Sequence, residues 1–310
     1  MQHDIAFTVS FEMFMPIRLV VTDMDNTLYS WIDYIVPAVE AMVDAVVQAT
    51  RLPRITVVQS LKAVYTKYES NEYPFALQES SLFQSFPEFG SFDKLVIEPA
   101  RAAFSEARRK YLRPYRGVLE TLKALRERQI VVVALTDAPR NPAEQRARRL
   151  GIDVFLTSMY TMPGFTFPEG PDGEALVAPD ILLKEERGAY KAACAVVELP
   201  RDHEKPNTAG LRKILSTYAM APHEVLVVGD SVKKDVAIAR ELGCHDCWAE
   251  YGTYVPTEYR ERLDIISSNV VTRRHAASVF EQSSANTQAT HTLSNYAQIL
   301  DVIERVGKVR

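Results

Sequence analysis

The sequence predicts an α/β fold, a parallel sheet covered by helices, from three observations. Short β-branched runs alternate with amphipathic helical stretches, the pattern of strand–helix–strand units. Three of these runs end abruptly in carboxylates or a hydroxyl: VVTDMD at Val20–Asp25, VALTD at Val133–Asp137 and VVGDS at Val227–Ser231. A long helical block then interrupts the alternation after the first run. In an open parallel sheet the carboxyl ends of the strands face one crevice, and ligands bind there.

The uncharged run Ile17–Thr22 predicts the first buried strand. Pro37–Thr50 places Val39, Met42, Val43, Val46 and Val47 on one helical face, with Pro37 read as a first-turn residue. Thr56–Glu69 repeats the pattern, 71–92 reads as a loop, and Asp93–Tyr111 is helical. Alternation resumes with a helix over Val118–Arg128 and a strand over Ile130–Leu135 that leads into Thr136-Asp137. A helix over Pro142–Leu150 stops at Gly151. Val154–Thr157 reads as a strand and Met159–Pro179 as an aperiodic loop or a small β insertion. Thr208–Ala219 (helix), Val225–Val228 (strand), Val232–Leu242 (helix) and Asp246–Glu250 (strand) follow, then a short strand at Thr292–Ser294 and a helix at Tyr296–Arg305. The expected organisation is a core of residues 1–29 and 114–310, with insertions near 159–203 and 257–288, and a helical cap over 30–113.

Bulk properties narrow the function classes. The 310 residues are 47% hydrophobic and 25% charged, enough for a sizeable core. A net charge of −4 without a basic stripe argues against nucleic acid as a partner. Three cysteines make no disulfide framework and suit a reducing compartment; the single CxxC at Cys244–Cys247 lacks a second pair to complete a zinc site. Residues 1–16 lack the basic start of a signal peptide, and no apolar run reaches the ~20 residues that span a bilayer. The expectation is a soluble, cytoplasmic protein with no membrane partner.

The strand-end residues carry the chemistry. Carboxylates at the end of a buried strand contribute nothing to packing and are costly unless paired or metal-bound. Asp23 and Asp25 suit Mg²⁺, a hard cation usually held by one or two carboxylates and a substrate phosphate. In that reading Asp23 attacks phosphorus to give an aspartyl-phosphate, and Asp25 passes protons to the leaving oxygen and from the attacking water. Asp230 and Asp235, about one helical turn apart, add two more carboxylates that repel Asp23 unless a cation intervenes. Lys205, locked ahead of Pro206 and a helix start, is the candidate counter-charge; Lys184 and Lys191 are substitutes without an adjacent proline. The Thr136 hydroxyl and the Asp137 amide are candidate donors to a phosphate. Taken singly, each has a plain structural reading: an Asx-turn, a helix cap, a solvated lysine, a strand-end threonine.

Taken together, Asp23-Met24-Asp25-Asn26-Thr27, Thr136, Lys205-Pro206 and Gly229-Asp230-Ser231 with Asp235 resemble the haloacid dehalogenase-like (HAD) superfamily from about Ile17 onward. The resemblance implies a Rossmann-like core, a helical cap after the first motif, and Mg²⁺ held by Asp23, the Asp25 backbone carbonyl and Asp230, with Asp235 behind them. It further implies phosphate rather than carbon–halogen chemistry, because dehalogenases of the superfamily lack the second aspartate. The expected activity is a Mg²⁺-dependent phosphatase for a small phosphorylated metabolite; the alternatives are a phosphomutase or a non-catalytic binding module. The segment Tyr73–Glu79 is similar to cap segments of pyrimidine 5′-nucleotidase-like members, which leaves a nucleotide or a glycolate-type ester as substrate. Phe75, Phe83, Phe86 and Phe89 read first as filling for the cap's own core.

Overall fold

A computed structural model describes residues 16–84, 92–165, 191–267 and 289–307. Seven parallel strands form one sheet in the order β4-β3-β2-β1-β5-β6-β7. They are β1 (Leu19–Thr22), β2 (Val131–Pro139), β3 (Ser158–Met162), β4 (Ala195–Glu198), β5 (Val225–Gly229), β6 (His245–Trp248) and β7 (His291–Thr292). β1 is central: Thr22 aligns with Ala134 of β2 on one side and with Val228 of β5 on the other. Chain order runs outward from β1 through β2 to β4, then returns to β1's other side at β5. The crevice at this reversal is where open α/β sheets bind ligands, and Asp23 and Asp230 flank it.

Both faces of β1 are buried, which accounts for its uninterrupted apolar run. Leu19 and Val21 pack with Leu211, Ile214 and Ile238 on one face, while Val20 packs with the larger core on the other. Helices of the core are α5 (Val118–Glu127), α6 (Arg140–Leu150), α7 (Ala209–Tyr218), α8 (Ala237–Glu241) and α10 (Ile299–Val306). A π-turn over Val232–Val236 introduces α8, and Gly151 closes α6 in the left-handed conformation, as its position after the last apolar residue predicts.

Between β1 and β2 stand α1 (Trp31–Thr50), α2 (Arg54–Tyr68), α3 (Ser81–Gln84) and α4 (Glu98–Tyr111), with a π-turn over Asp93–Ile97 before α4. This is the helical cap. α1 begins six residues earlier than the apolar stripe predicts: the Ser30 side chain accepts from the Asp33 amide 3.2 Å away, and Pro37 lies inside the helix rather than in its first turn. Tyr73 and Phe75 are buried and meet edge to face, in keeping with a structural role for the cap aromatics. Phe86 and Phe89 lie outside the described residues, as does Lys184.

Other expectations need correction. The strand expected at Val154–Thr157 lies at Ser158–Met162 instead. Val154 is exposed at a turn, and Ser158 is the residue in register with Val133 of β2. Of the two readings from Met159, loop or small β insertion, the structure has strand as far as Met162. β4 was not expected; four residues at the sheet edge, with both ends exposed, carry little periodic signal. The segment from Thr257, expected as part helix and part polar loop, does open with a helix, α9 (Thr257–Ile266), that packs on the cap. Leu263 and Ile266 are buried in the large core, Arg262 Nε donates to Glu40 Oε1 at 3.0 Å, and Lys62 Nζ donates to the Asp264 carbonyl at 2.9 Å. Residues 268–288 lie outside the described set. No helix among the described residues is long and apolar enough to cross a membrane.

Candidate active site

The loop after β1 is shaped by its own residues. The Asp23 amide donates to the Val228 carbonyl at 2.8 Å, extending the β1–β5 ladder by one bond. Met24 and Leu28 are fully buried and anchor the loop from beneath. Asn26 takes a left-handed conformation (φ 58°), which asparagine tolerates better than most residues, and its side chain accepts from the Trp31 amide at 3.0 Å. Gly252 approaches so closely that a Cβ there would collide with the Asn26 carbonyl oxygen. Tyr251 donates to the Thr27 carbonyl at 2.6 Å from the same segment.

Around this loop the structure brings Asp23, Asp230 and Asp235 together, with one oxygen of each within 4.8 Å of the others. Lys205 Nζ lies 2.7 Å from Asp23 Oδ1, 2.6 Å from Asp235 Oδ1 and 3.2 Å from the Leu135 carbonyl. Lysine and both carboxylates are almost fully buried. Asp235 is committed on both oxygens, since Oδ2 accepts from the Ser231 amide at 3.1 Å. Gly229 is required beside it: a Cβ at that position would overlap the Asp235 carboxyl. Asp230 is steadied through its backbone carbonyl, which accepts from the Trp248 indole at 2.9 Å.

The electrostatics of the cluster follow first from its burial. The Asp23 carboxyl is raised to about 7, first by burial, which Lys205 opposes and Asp235 reinforces. Asp230 is raised well above the ordinary carboxylate range by burial and then by Asp23 and Asp235. Burial alone would lower the Lys205 ammonium, but Asp23 and Asp235 outweigh it and hold the lysine charged. Once ionised, the three carboxylates outnumber the one ammonium by two charges, and every donor is a hard oxygen. The residues present therefore fit a hard divalent cation.

The other expected residues fall around this centre. Thr136 is buried within β2, which runs on to Pro139 instead of ending at Leu135 as expected, and its hydroxyl accepts from the Ala138 amide at 3.1 Å. The Asp137 carboxylate grips the lysine loop: Oδ1 accepts from the Lys205 amide at 3.0 Å and Oδ2 from Lys234 Nζ at 2.8 Å. This clasp joins two motifs far apart in sequence. Asp25 stands outside the three-carboxylate cluster. Its Oδ2 accepts from Arg146 Nη2 at 3.0 Å. Burial raises the Asp25 carboxyl; Arg146 opposes this and Glu72 adds to it. Arg146, Glu72, Tyr29, Tyr34, Trp248 and Lys234 were not singled out in the sequence. For Arg146 a signal existed, because it falls on the buried stripe of α6 defined by Ala143, Ala147 and Leu150.

The family profile of haloacid dehalogenase-like hydrolases matches residues 17–243, well over half of the chain. The chain belongs to the haloacid dehalogenase-like hydrolase family. Among curated HAD relatives, a glyceraldehyde 3-phosphate phosphatase of Methanopyrus kandleri is 25% identical over 255 residues, covering 80% of this chain and 91% of that protein. A phosphoglycolate phosphatase of Photobacterium profundum is 24% identical over 245 residues, covering 78% and 86%. A haloacid dehalogenase-like hydrolase domain-containing protein of Arabidopsis thaliana is 41% identical, but over 56 residues only, 18% of this chain and 23% of its own length. In three dimensions the chain is similar to a 2-haloacid dehalogenase of Pseudomonas syringae (TM-score 0.54, 17% identity, 93% of this chain and 99% of that one), which shows the shared HAD fold. The expected fold, with its Rossmann-like core and helical cap, and the assignment to the HAD hydrolases are borne out.

Proposed function

We propose that this HAD hydrolase is a Mg²⁺-dependent phosphatase that cleaves phosphoric monoesters of a small metabolite. The observation that carries the reading is the buried meeting of Asp23, Asp230 and Asp235 on Lys205, with Asp25 two residues beyond Asp23. Asp23, Asp230 and the Asp25 carbonyl would hold the metal, with Asp235 behind them. When bound, the cation neutralises charge on the phosphoryl oxygens and keeps Asp23 ionised at neutral pH.

The chain's own residues supply the rest. An Asp23 carboxylate oxygen forms a bond to phosphorus as the bond from phosphorus to the ester oxygen breaks, and the proton of the Asp25 carboxyl goes to that leaving oxygen. Asp25, now ionised, takes a proton from the water that releases phosphate from Asp23. Lys205 spreads its charge between Asp23 and the incoming phosphate, and Thr136 and the Asp137 amide donate to its oxygens. The phosphatase names of the Methanopyrus and Photobacterium relatives support a small phosphorylated metabolite as substrate, with a glycolate-type ester ahead of a nucleotide.

A p-nitrophenyl phosphate assay tests this reading. Release should require Mg²⁺, vanish on chelation, return on adding the metal back, and fall at least a thousandfold in Asp23→Asn. Turnover that ignores Mg²⁺, or an Asp23→Asn protein as active as the parent, contradicts it.

A further inference from the structure

Arg146 is the largest fully buried side chain among the described residues. An arginine on the apolar stripe of a helix is expensive to bury unless its donors are taken up, and here the whole fork is used. Nε donates to the Tyr29 hydroxyl at 2.7 Å, Nη1 to the Tyr34 hydroxyl at 3.0 Å and to Glu72 Oε1, and Nη2 to Asp25 Oδ2 at 3.0 Å. The acceptors come from two sides. Asp25 and Tyr29 belong to the loop after β1, whereas Tyr34 and Glu72 belong to the cap. Glu72 is held in turn by the Trp31 indole at 3.0 Å and the Tyr34 hydroxyl at 2.7 Å. One guanidinium thus joins a core carboxylate to a cap carboxylate. The other Asp25 oxygen, Oδ1, is buried and has no protein partner.

We propose that Arg146 is a positioning residue that clamps Asp25 by Oδ2 and ties it to Glu72 of the cap, fixing how the carboxyl is presented to the leaving group. A lysine in its place is one point charge without a planar fork and cannot hold four acceptors at once. The inference rests on Asp25 being the proton donor of the proposed phosphatase.

The test compares kcat/KM, with saturating Mg²⁺, for two esters of similar shape. The p-nitrophenolate of p-nitrophenyl phosphate departs without a proton, whereas the alcohol of benzyl phosphate needs one. In Arg146→Lys the loss on benzyl phosphate should exceed the loss on p-nitrophenyl phosphate at least tenfold, and in Glu72→Gln about threefold. Equal losses on both esters in the two variants overturn the inference, because a merely structural role weakens both alike. Should melting curves show that Arg146→Lys is unfolded, Glu72→Gln decides by the same ratio. Asp25→Asn separates the two levels of the argument. If it shows the selective loss and the Arg146 and Glu72 variants do not, the positioning role falls alone; if it shows none, the proton-donor reading falls and takes the inference with it.

Discussion

Replacing Lys205 with methionine removes the one ammonium lodged between Asp23 and Asp235 while keeping most of the side-chain volume. The lysine is 5% exposed and its two ion pairs are 2.7 and 2.6 Å long. Breaking a buried pair from one side costs about 3–5 kcal/mol, because the remaining charge is left without compensation. That cost applies only where the carboxylates are ionised. Asp23 is raised from 3.8 to about 7 even with the lysine present, and without it the carboxyl rises further. The destabilisation of Lys205→Met should therefore be full near pH 8 and shrink as pH falls towards 5, where the folded protein holds Asp23 protonated. Urea denaturation without divalent metal at pH 5, 6.5 and 8 measures it. A loss that is the same at all three values, or below about 1 kcal/mol at pH 8, would refute this electrostatic account.

Metal-free protein should lose stability as pH rises from about 4 to about 7. Asp23, Asp25 and Asp230 are all raised, so the folded chain holds protons that the unfolded chain has released. Mg²⁺ competes with those protons, and its stabilisation should be large at pH 8, about 2.7 kcal/mol at a hundred times its dissociation constant, and small at pH 5; calorimetric scans at both values check the sign. Asp25→Asn should slow turnover at least a hundredfold and leave Mg²⁺ affinity by titration calorimetry nearly unchanged, since its carboxylate lies outside the cluster; a large loss of metal binding contradicts the division of roles. Gly229→Ala places a methyl group against the Asp235 carboxyl, so it should weaken both activity and Mg²⁺-induced stabilisation by tenfold or more, and an Ala protein that binds Mg²⁺ normally contradicts the packing argument.

Asp23 and Asp230 were legible because strand ends leave them no packing role, and a carboxylate there needs a chemical partner whose type it limits; Lys205 was legible because Pro206 and a helix start follow it. Asp137 was legible as a position but not as a carboxylate clasp on the Lys205 loop, which only the fold reveals. The start of α1 was hidden because Pro37 resembles a first-turn proline, while the decisive cap, Ser30, precedes a run that is apolar on every side. β3 was displaced because Val154-Phe155-Leu156 is apolar enough to pass for a strand, yet register with β2 selects the residues after it. Arg146 was hidden among Arg140, Arg148 and Arg149, as one positive charge of several on α6. Its partners Tyr29, Tyr34 and Glu72 are far away in sequence, so the cap–core link becomes visible only once the chain is folded.

The most direct measurement is acid-quenched single turnover with ³²P-labelled substrate and Mg²⁺, followed by peptide mapping of the protein-bound label. The account predicts transient label on the peptide that contains Asp23, appearing before free phosphate and absent from Asp23→Asn. Phosphate release with no protein-bound label, or label on any other side chain, would contradict it.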